Sequence, residues 1–159
     1  MPRWQLPFFL QNLRQEVHQR KEKLRLFDGM KDTLTALKAQ GYRLGIVTSN
    51  TRSTVDSFLN TQQLDSLFDF VHAGRGLLGK ARILRRLVKQ YRLQPAEVLY
   101  IGDETRDVEA AQQVAIATIA VSWGFNSRVV LEQQNPDVII DDPRELQAAA
   151  QTLLREKYL

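Results

Sequence analysis

Two carboxylates four residues apart, Asp103 and Asp107, follow an apolar run that stops at a glycine in the stretch EVLYIGDETRDVEAAQ. One acid in that place has an ordinary structural use, because the unpaired amides and the dipole of a helix N-terminus favour negative charge. A second acid one helical turn further on admits another use, since two carboxylates can share the shell of a hard cation such as magnesium. Other segments carry groups that suit a phosphate. The run LGIVT ends in Thr48, Ser49 and Asn50, and the segment AGRGLLGK, with Gly74, Gly76 and Gly79, ends in Lys80. A hydroxyl and loop amides can hold phosphate oxygens, and a lysine can neutralise them. Ser122, Trp123 and Gly124 follow the run IATIAV in the same way. Together these groups describe a magnesium and phosphate site. Singly, each has a plainer use: Thr48 as a helix cap, Lys80 as a surface charge, the glycine-rich segment as a connection.

The elements that would position these residues are legible in the apolar periodicity. Residues 31–40 read as a helix closed by Gly41, residues 43–48 as a buried strand, and residues 51–60 as a second helix. A short strand at 69–73 precedes a basic helix in which Ile83, Leu84, Leu87, Val88 and Tyr91 recur at intervals of three and four. Strands at 98–102, 116–121 and 137–141 follow, with a helix through Ala110 and Val114 and a terminal helix from Pro143. Continuous Val/Ile runs are buried on both faces, and parallel neighbours need crossover helices. The alternation therefore predicts an α/β fold, a parallel sheet of five strands with helices on both faces. In such sheets ligands bind beyond the carboxyl ends of the strands, where all the groups above fall.

Composition narrows the remaining classes. A chain of 159 residues with 43% hydrophobic content suits one domain with a real core. The absence of cysteine removes disulfides, thiolate catalysis and thiolate-ligated metal. The N-terminal MPRWQLPFFLQNLRQ holds only a short apolar cluster broken by Pro7, and reads as neither a signal peptide nor a membrane span. The formal charge is +4, and residues 75–92 hold seven basic residues and no acid. Most of these fall on the wet face of the basic helix. No interleaved aromatics or groove-reading motif accompany them, so nucleic acid is disfavoured as a partner. The histidines, His18 and His72, lack a partner pattern and read as an exposed helix residue and a core or rim residue.

LGIVTSN, then GK opening a helix, then VLYIGDETRDVEAA, then IAVSWGFNS resembles the haloacid dehalogenase superfamily of phosphatases, most closely its phosphoglycolate phosphatase-like members. The likeness covers about residues 27–150, and its motifs are specific as a set. It implies a Rossmann-like core and magnesium-dependent hydrolysis of a small phosphorylated substrate in the cytoplasm. Thr48 would donate to the transferred phosphoryl group with Ser49 and Asn50 helping to bind it. Lys80 would stabilise that group and the acidic nucleophile, Asp103 would bind magnesium, and Asp107 would support the ion directly or through water.

The chain departs from that family in one place. The family's DxDGT motif ends its first strand, and the first Asp attacks phosphorus to form an aspartyl phosphate. No such motif is present. LFDGM, Leu26 to Met30, has Leu26 at the nucleophile's position, and only nineteen residues separate Asp28 from Thr48. Asp28 and Gly29 read instead as a turn before the first core helix. Residues 1–26 then read as the remnant of a helical cap, with Phe8, Phe9, Leu13 and Val17 as an apolar stripe, and residues 27–159 as a core lacking its first strand. The expectations are an inactive chain by itself and, for the slot between the strands ending at Thr48 and Gly102, direct pairing of the two if the domain folds alone; another segment or chain filling the slot, or a sheet that stays split, are the alternatives. The alternative function is a non-catalytic module that binds phosphate, metal or a partner.

Overall fold

The computed structural model describes residues 6–9, 26–74 and 79–156, with 6–9, 155 and 156 as backbone only. The strands are β1 (Leu6–Phe9), β2 (Gly45–Thr48), β3 (Phe70–Ala73), β4 (Val98–Gly102), β5 (Ala117–Val121) and β6 (Val138–Ile140). They form one sheet in the order β3-β2-β1-β4-β5-β6, and every neighbouring pair is parallel. The helices are α1 (Met30–Ala39), α2 (Arg52–Gln62), α3 (Lys80–Gln90), α4 (Thr105–Gln112), α5 (Arg128–Glu132) and α6 (Leu146–Glu156).

Strand alternation divides the core into layers, because successive side chains point to opposite faces. Leu99 and Ile101 of β4 face α1 and α6, where Met30, Leu34, Leu37, Leu146 and Ala150 are buried. Val98 and Tyr100 face α3 and α4, packing with Leu84, Leu87, Ala110 and Ala111. Ile46 of β2 packs with Val55 and Leu59 of α2. The basic helix has the amphipathic form its spacing predicts: Leu84 and Leu87 are buried while Arg82, Arg85, Arg86 and Lys89 are exposed. His72 lies half-buried on β3, and burial, with Arg86 nearby, holds its imidazole below the ordinary range. No described helix is long and apolar enough to cross a membrane.

The centre of the sheet corrects the sequence reading. Direct pairing of Ile46 and Val47 with Leu99 and Tyr100 does not occur. Leu6 to Phe9 registers with Val98 to Ile101 on one side, and Phe8 and Phe9 register with Gly45 and Ile46 on the other. Residues 6–9 therefore belong to the sheet and not to a separate helical remnant, and the core has a central strand. The physical reason is hydrogen bonding. A segment in the slot pairs the amides and carbonyls of both flanking strands, whereas closure would require two packed half-sheets and their helices to slide by a strand spacing of about 4.8 Å. Leu13, Val17 and His18 lie outside the described residues.

Other differences are smaller. Thr51 caps α2, its side chain accepting from the Thr54 amide, so the helix starts one residue later than expected. Residues Pro143–Glu145 form a separate 3-10 turn before α6. Asp28 and Gly29 do form the expected turn, with the Met30 amide donating to the Phe27 carbonyl at 3.0 Å, and Asp28 is exposed.

Candidate active site

The carboxyl ends of β2 and β4 and the start of α3 bring the candidate residues to one edge of the sheet. Thr48 ends β2 and is buried, and its hydroxyl oxygen accepts from the backbone and side-chain nitrogens of Asn50, both at 3.2 Å. With the oxygen fixed by these donors, the hydroxyl proton is available to an acceptor placed beyond the strand. Asn50 thus orients Thr48. Thr48, Ser49, Gly74, Gly79 and Lys80 line a cavity of about 540 Å³. Gly76 lies outside the described residues.

Lys80 is the first residue of α3 and carries its ammonium to the carboxylate of Asp107, with Glu104 Oε2 at 3.8 Å. Asp107 is fully buried and fully engaged. Its Oδ1 meets Lys80 and the Tyr100 hydroxyl, the latter at 3.4 Å, and its Oδ2 accepts from the amides of Asp103 and Glu104 at 3.2 and 3.1 Å. Gly102 makes room for this contact, because a Cβ there would collide with the Asp107 side chain. Asp107 therefore fixes the turn between β4 and α4 and the position of Lys80 at once.

Asp103 is held from the other side, by the loop after β5. The Phe125 amide donates to Asp103 Oδ2 at 2.8 Å, and the Asn126 amide donates to the Asp103 carbonyl at 3.0 Å. Asn126 Oδ1 in turn accepts from the Thr105 amide at 3.0 Å, which closes the loop onto the first turn of α4. Gly124 has a steric reason: a Cβ there would fall inside the Asp103 carboxylate. Ser122 faces away from this cluster and bonds Asp141 at 2.5 Å, while Trp123 packs against Phe27 with ring centroids 6.1 Å apart.

The electrostatics are unusual. Burial pushes the Asp103 carboxyl up to about 6, opposed by the Phe125 amide and assisted by the nearby charges of Asp107 and Glu104. Burial also raises Asp107, against the pull of Lys80, and raises the Tyr100 phenol well above its ordinary range, with Asp107 adding to that rise. Glu104 is not marked by the sequence pattern, yet its side chain is only 2% exposed, and its Oε2 accepts from Arg106 Nε and Nη2 at 3.0 and 2.6 Å. The sequence signal was a third acid between two others, which reads as surface charge until its burial is known.

The donor set can be compared with what magnesium requires. Among the described residues no donor reaches the buried Asp103 Oδ1 or Glu104 Oε1, while Asp107 has protein donors on both oxygens. Among the described residues no three acids or imidazoles form a metal cage. Magnesium is commonly held by one or two carboxylates with water and phosphate oxygens completing an octahedron, and Asp103 fits that mode. Asp107 fits the outer position, orienting Asp103 and Lys80 through the hydrogen bonds above.

Comparison with known proteins follows the same lines. The family model described as haloacid dehalogenase-like hydrolase matches residues 1–121. The chain is 42% identical over 153 residues to a phosphoglycolate phosphatase of Synechococcus elongatus, covering 96% of this chain and 72% of that one. It is 32% identical over 123 residues to a pyrophosphatase PpaX of Bacillus mycoides, spanning 57% of that protein. A crystal structure of a predicted phosphoglycolate phosphatase from Haemophilus somnus superposes with a TM-score of 0.73 at 32% identity, over 80% of this chain and 58% of that one.

Proposed function

Because the chain belongs to the haloacid dehalogenase-like hydrolases, we propose that its site is that of a magnesium-dependent phosphatase for a small, phosphoglycolate-like phosphate monoester, and that this chain carries the binding groups of that site. The observation behind this reading is the convergence of Thr48, Lys80 and Asp103 on one edge, with Asp107 tied to both Lys80 and the Asp103 backbone. Thr48 and the Ser49 amide receive phosphoryl oxygens, and the Lys80 ammonium offsets their charge. Asp103 holds the cation, which when bound supplies Lewis-acid stabilisation of the phosphoryl group.

The covalent route expected of the family also needs a carboxylate beside phosphorus. Residues 1–15, which include β1, contain no acid, and Asp28 sits exposed in a turn. Charge stabilisation cannot replace a bond-forming group, so the chain by itself binds phosphate and does not turn it over. A binding module without turnover is the second reading, and it rests on this same absence.

Two measurements test the proposal. Steady-state assays with p-nitrophenyl phosphate and phosphoglycolate in magnesium should stay at background. Calorimetry with orthophosphate should give binding that Lys80→Ala weakens on the order of tenfold or more, as expected for the loss of a charge-assisted bond. Magnesium-dependent hydrolysis abolished by Asp28→Asn would reinstate Asp28 as nucleophile. Phosphate binding indifferent to Lys80 would remove the assigned site.

A further inference from the structure

The cavity at Thr48 and Lys80 does not end at the sheet edge. It continues between α3 and α4, where Arg106, Glu109, Ala110 and Gln113 recur at the i, i+3, i+4, i+7 spacing of a single helix face. Arg82 and Arg85 line the opposing side, and Arg85 donates to the Gln113 carbonyl at 3.3 Å, joining the two walls. Val47, Ala81 and Ile83 supply apolar lining.

The charges are unequal in sign and in how they are held. Among the described residues Lys80, Arg82, Arg85 and Arg106 line the cleft, against Glu109 as the one acid. Two of these cations are paired to acids buried behind them, Lys80 to Asp107 and Arg106 to Glu104. Those acids fix the two cations without lining the cleft. Arg82 and Arg85 form no ion pair among the described residues, so no acid among those residues is paired to either of them. A concave surface of one sign concentrates ions of the other. A volume of about 540 Å³ is also more than a phosphoryl group at Thr48 would fill.

We propose that the cleft between α3 and α4 is a second anion subsite, in which Arg82, Arg85 and Arg106 hold a second anionic group of a small ligand whose phosphoryl end lies at Thr48 and Lys80. The preferred ligand is then a phosphate carrying a further phosphate or carboxylate, and the core itself discriminates it from a monoester with a neutral tail. Glu104 acts as a positioning residue, holding Arg106 at the cleft mouth. This inference rests on the reading of Thr48 and Lys80 as the phosphoryl site.

Calorimetry on the whole chain, without divalent cation, tests it with methyl phosphate, phosphoglycolate and pyrophosphate. At least one of the doubly anionic ligands should bind about tenfold or more tightly than methyl phosphate, the gain expected from charge-assisted hydrogen bonds. Which of the two gains identifies the second group as carboxylate, phosphate or either. The double variant Arg82→Gln/Arg85→Gln should erase the gain and leave methyl phosphate binding within about twofold. Lys89→Gln, which removes a charge from the same helix outside the cleft, should keep it. An absent gain, a gain that survives the double variant, or one lost equally in Lys89→Gln overturns the subsite. Methyl phosphate binding that is missing, or unchanged in Lys80→Ala, overturns the phosphoryl site and the subsite together.

Discussion

Asp103 owes its orientation to the loop after β5 as much as to its own strand. Its Oδ2 accepts from the Phe125 amide at 2.8 Å, and that amide is within reach because Gly124 has no side chain to keep the backbone away. Gly124→Ala therefore has to move either the loop or the carboxylate, and both are packed. Overpacking of this kind costs about 1–3 kcal/mol, and the displaced carboxylate should bind a divalent cation more weakly. Ser122→Ala, two residues away, removes a bond to Asp141 at the exposed surface and should cost less than about 1 kcal/mol. Thermal melts with magnesium titrations of both variants check the contrast. Wild-type stability and cation affinity in Gly124→Ala would show that the loop does not set Asp103.

Among the elements, those buried on both faces were legible in the sequence and those outside that pattern were not. Val98 to Gly102 and Ala117 to Val121 are buried throughout, and their unbroken apolar runs identify them. The helix α5 escaped notice because its five residues bury only Leu131, which leaves no periodicity to read. The strand β1 escaped for a different reason. Four apolar residues suit a strand or one turn of a helical stripe, and Pro7 argues against a central strand because it removes a ladder donor. What decides its place is the pair of strand edges contributed by residues far along the chain. The site followed the same division: Thr48, Lys80 and Asp103 stand at strand and helix ends that the pattern marks, whereas Glu104 and Arg106 acquire meaning only from tertiary burial. The register of β1 is open to direct measurement. Backbone NOEs should connect Phe8 to the Gly45 region of β2 and Pro7 to the Leu99 region of β4, with none between Ile46 and Tyr100. Strong NOEs from Ile46 to Tyr100 would restore the closed sheet that the sequence alone suggested.

At the scale of the whole molecule, the site should weaken the fold that carries it, in a way that depends on pH. The Asp103 carboxyl rises from 3.8 in the ordinary state to about 6 in the folded chain, chiefly through burial. Between those values the folded state binds more protons than the unfolded one, so stability falls as pH rises through that window and stays low above it. At about 1.4 kcal/mol per unit the full effect is on the order of 2–3 kcal/mol. Other groups act in the same range. Asp107, also raised by burial, shares the sign of Asp103, while His72, whose imidazole is lowered by burial, gives stability that increases with pH. Asp69 acts at lower pH. Burial would raise it, but its bonds to Lys38 and the Leu44 amide outweigh that and lower it, so its contribution is lost as pH falls below the ordinary carboxylate value. The Asp103 contribution is therefore isolated by difference. Asp103→Asn removes the buried charge while its amide oxygen can still accept from Phe125. In chelator, its melting temperature should match the wild type near pH 4 and exceed it by several degrees at pH 7, the gap opening between those limits. Magnesium at millimolar concentration should narrow the gap at pH 7 by stabilising only the wild type, since binding to the native state alone raises its stability. A gap independent of pH would mean that the carboxylate carries no excess cost in the fold. A gap that magnesium leaves unchanged would separate Asp103 from the cation it is assigned to hold.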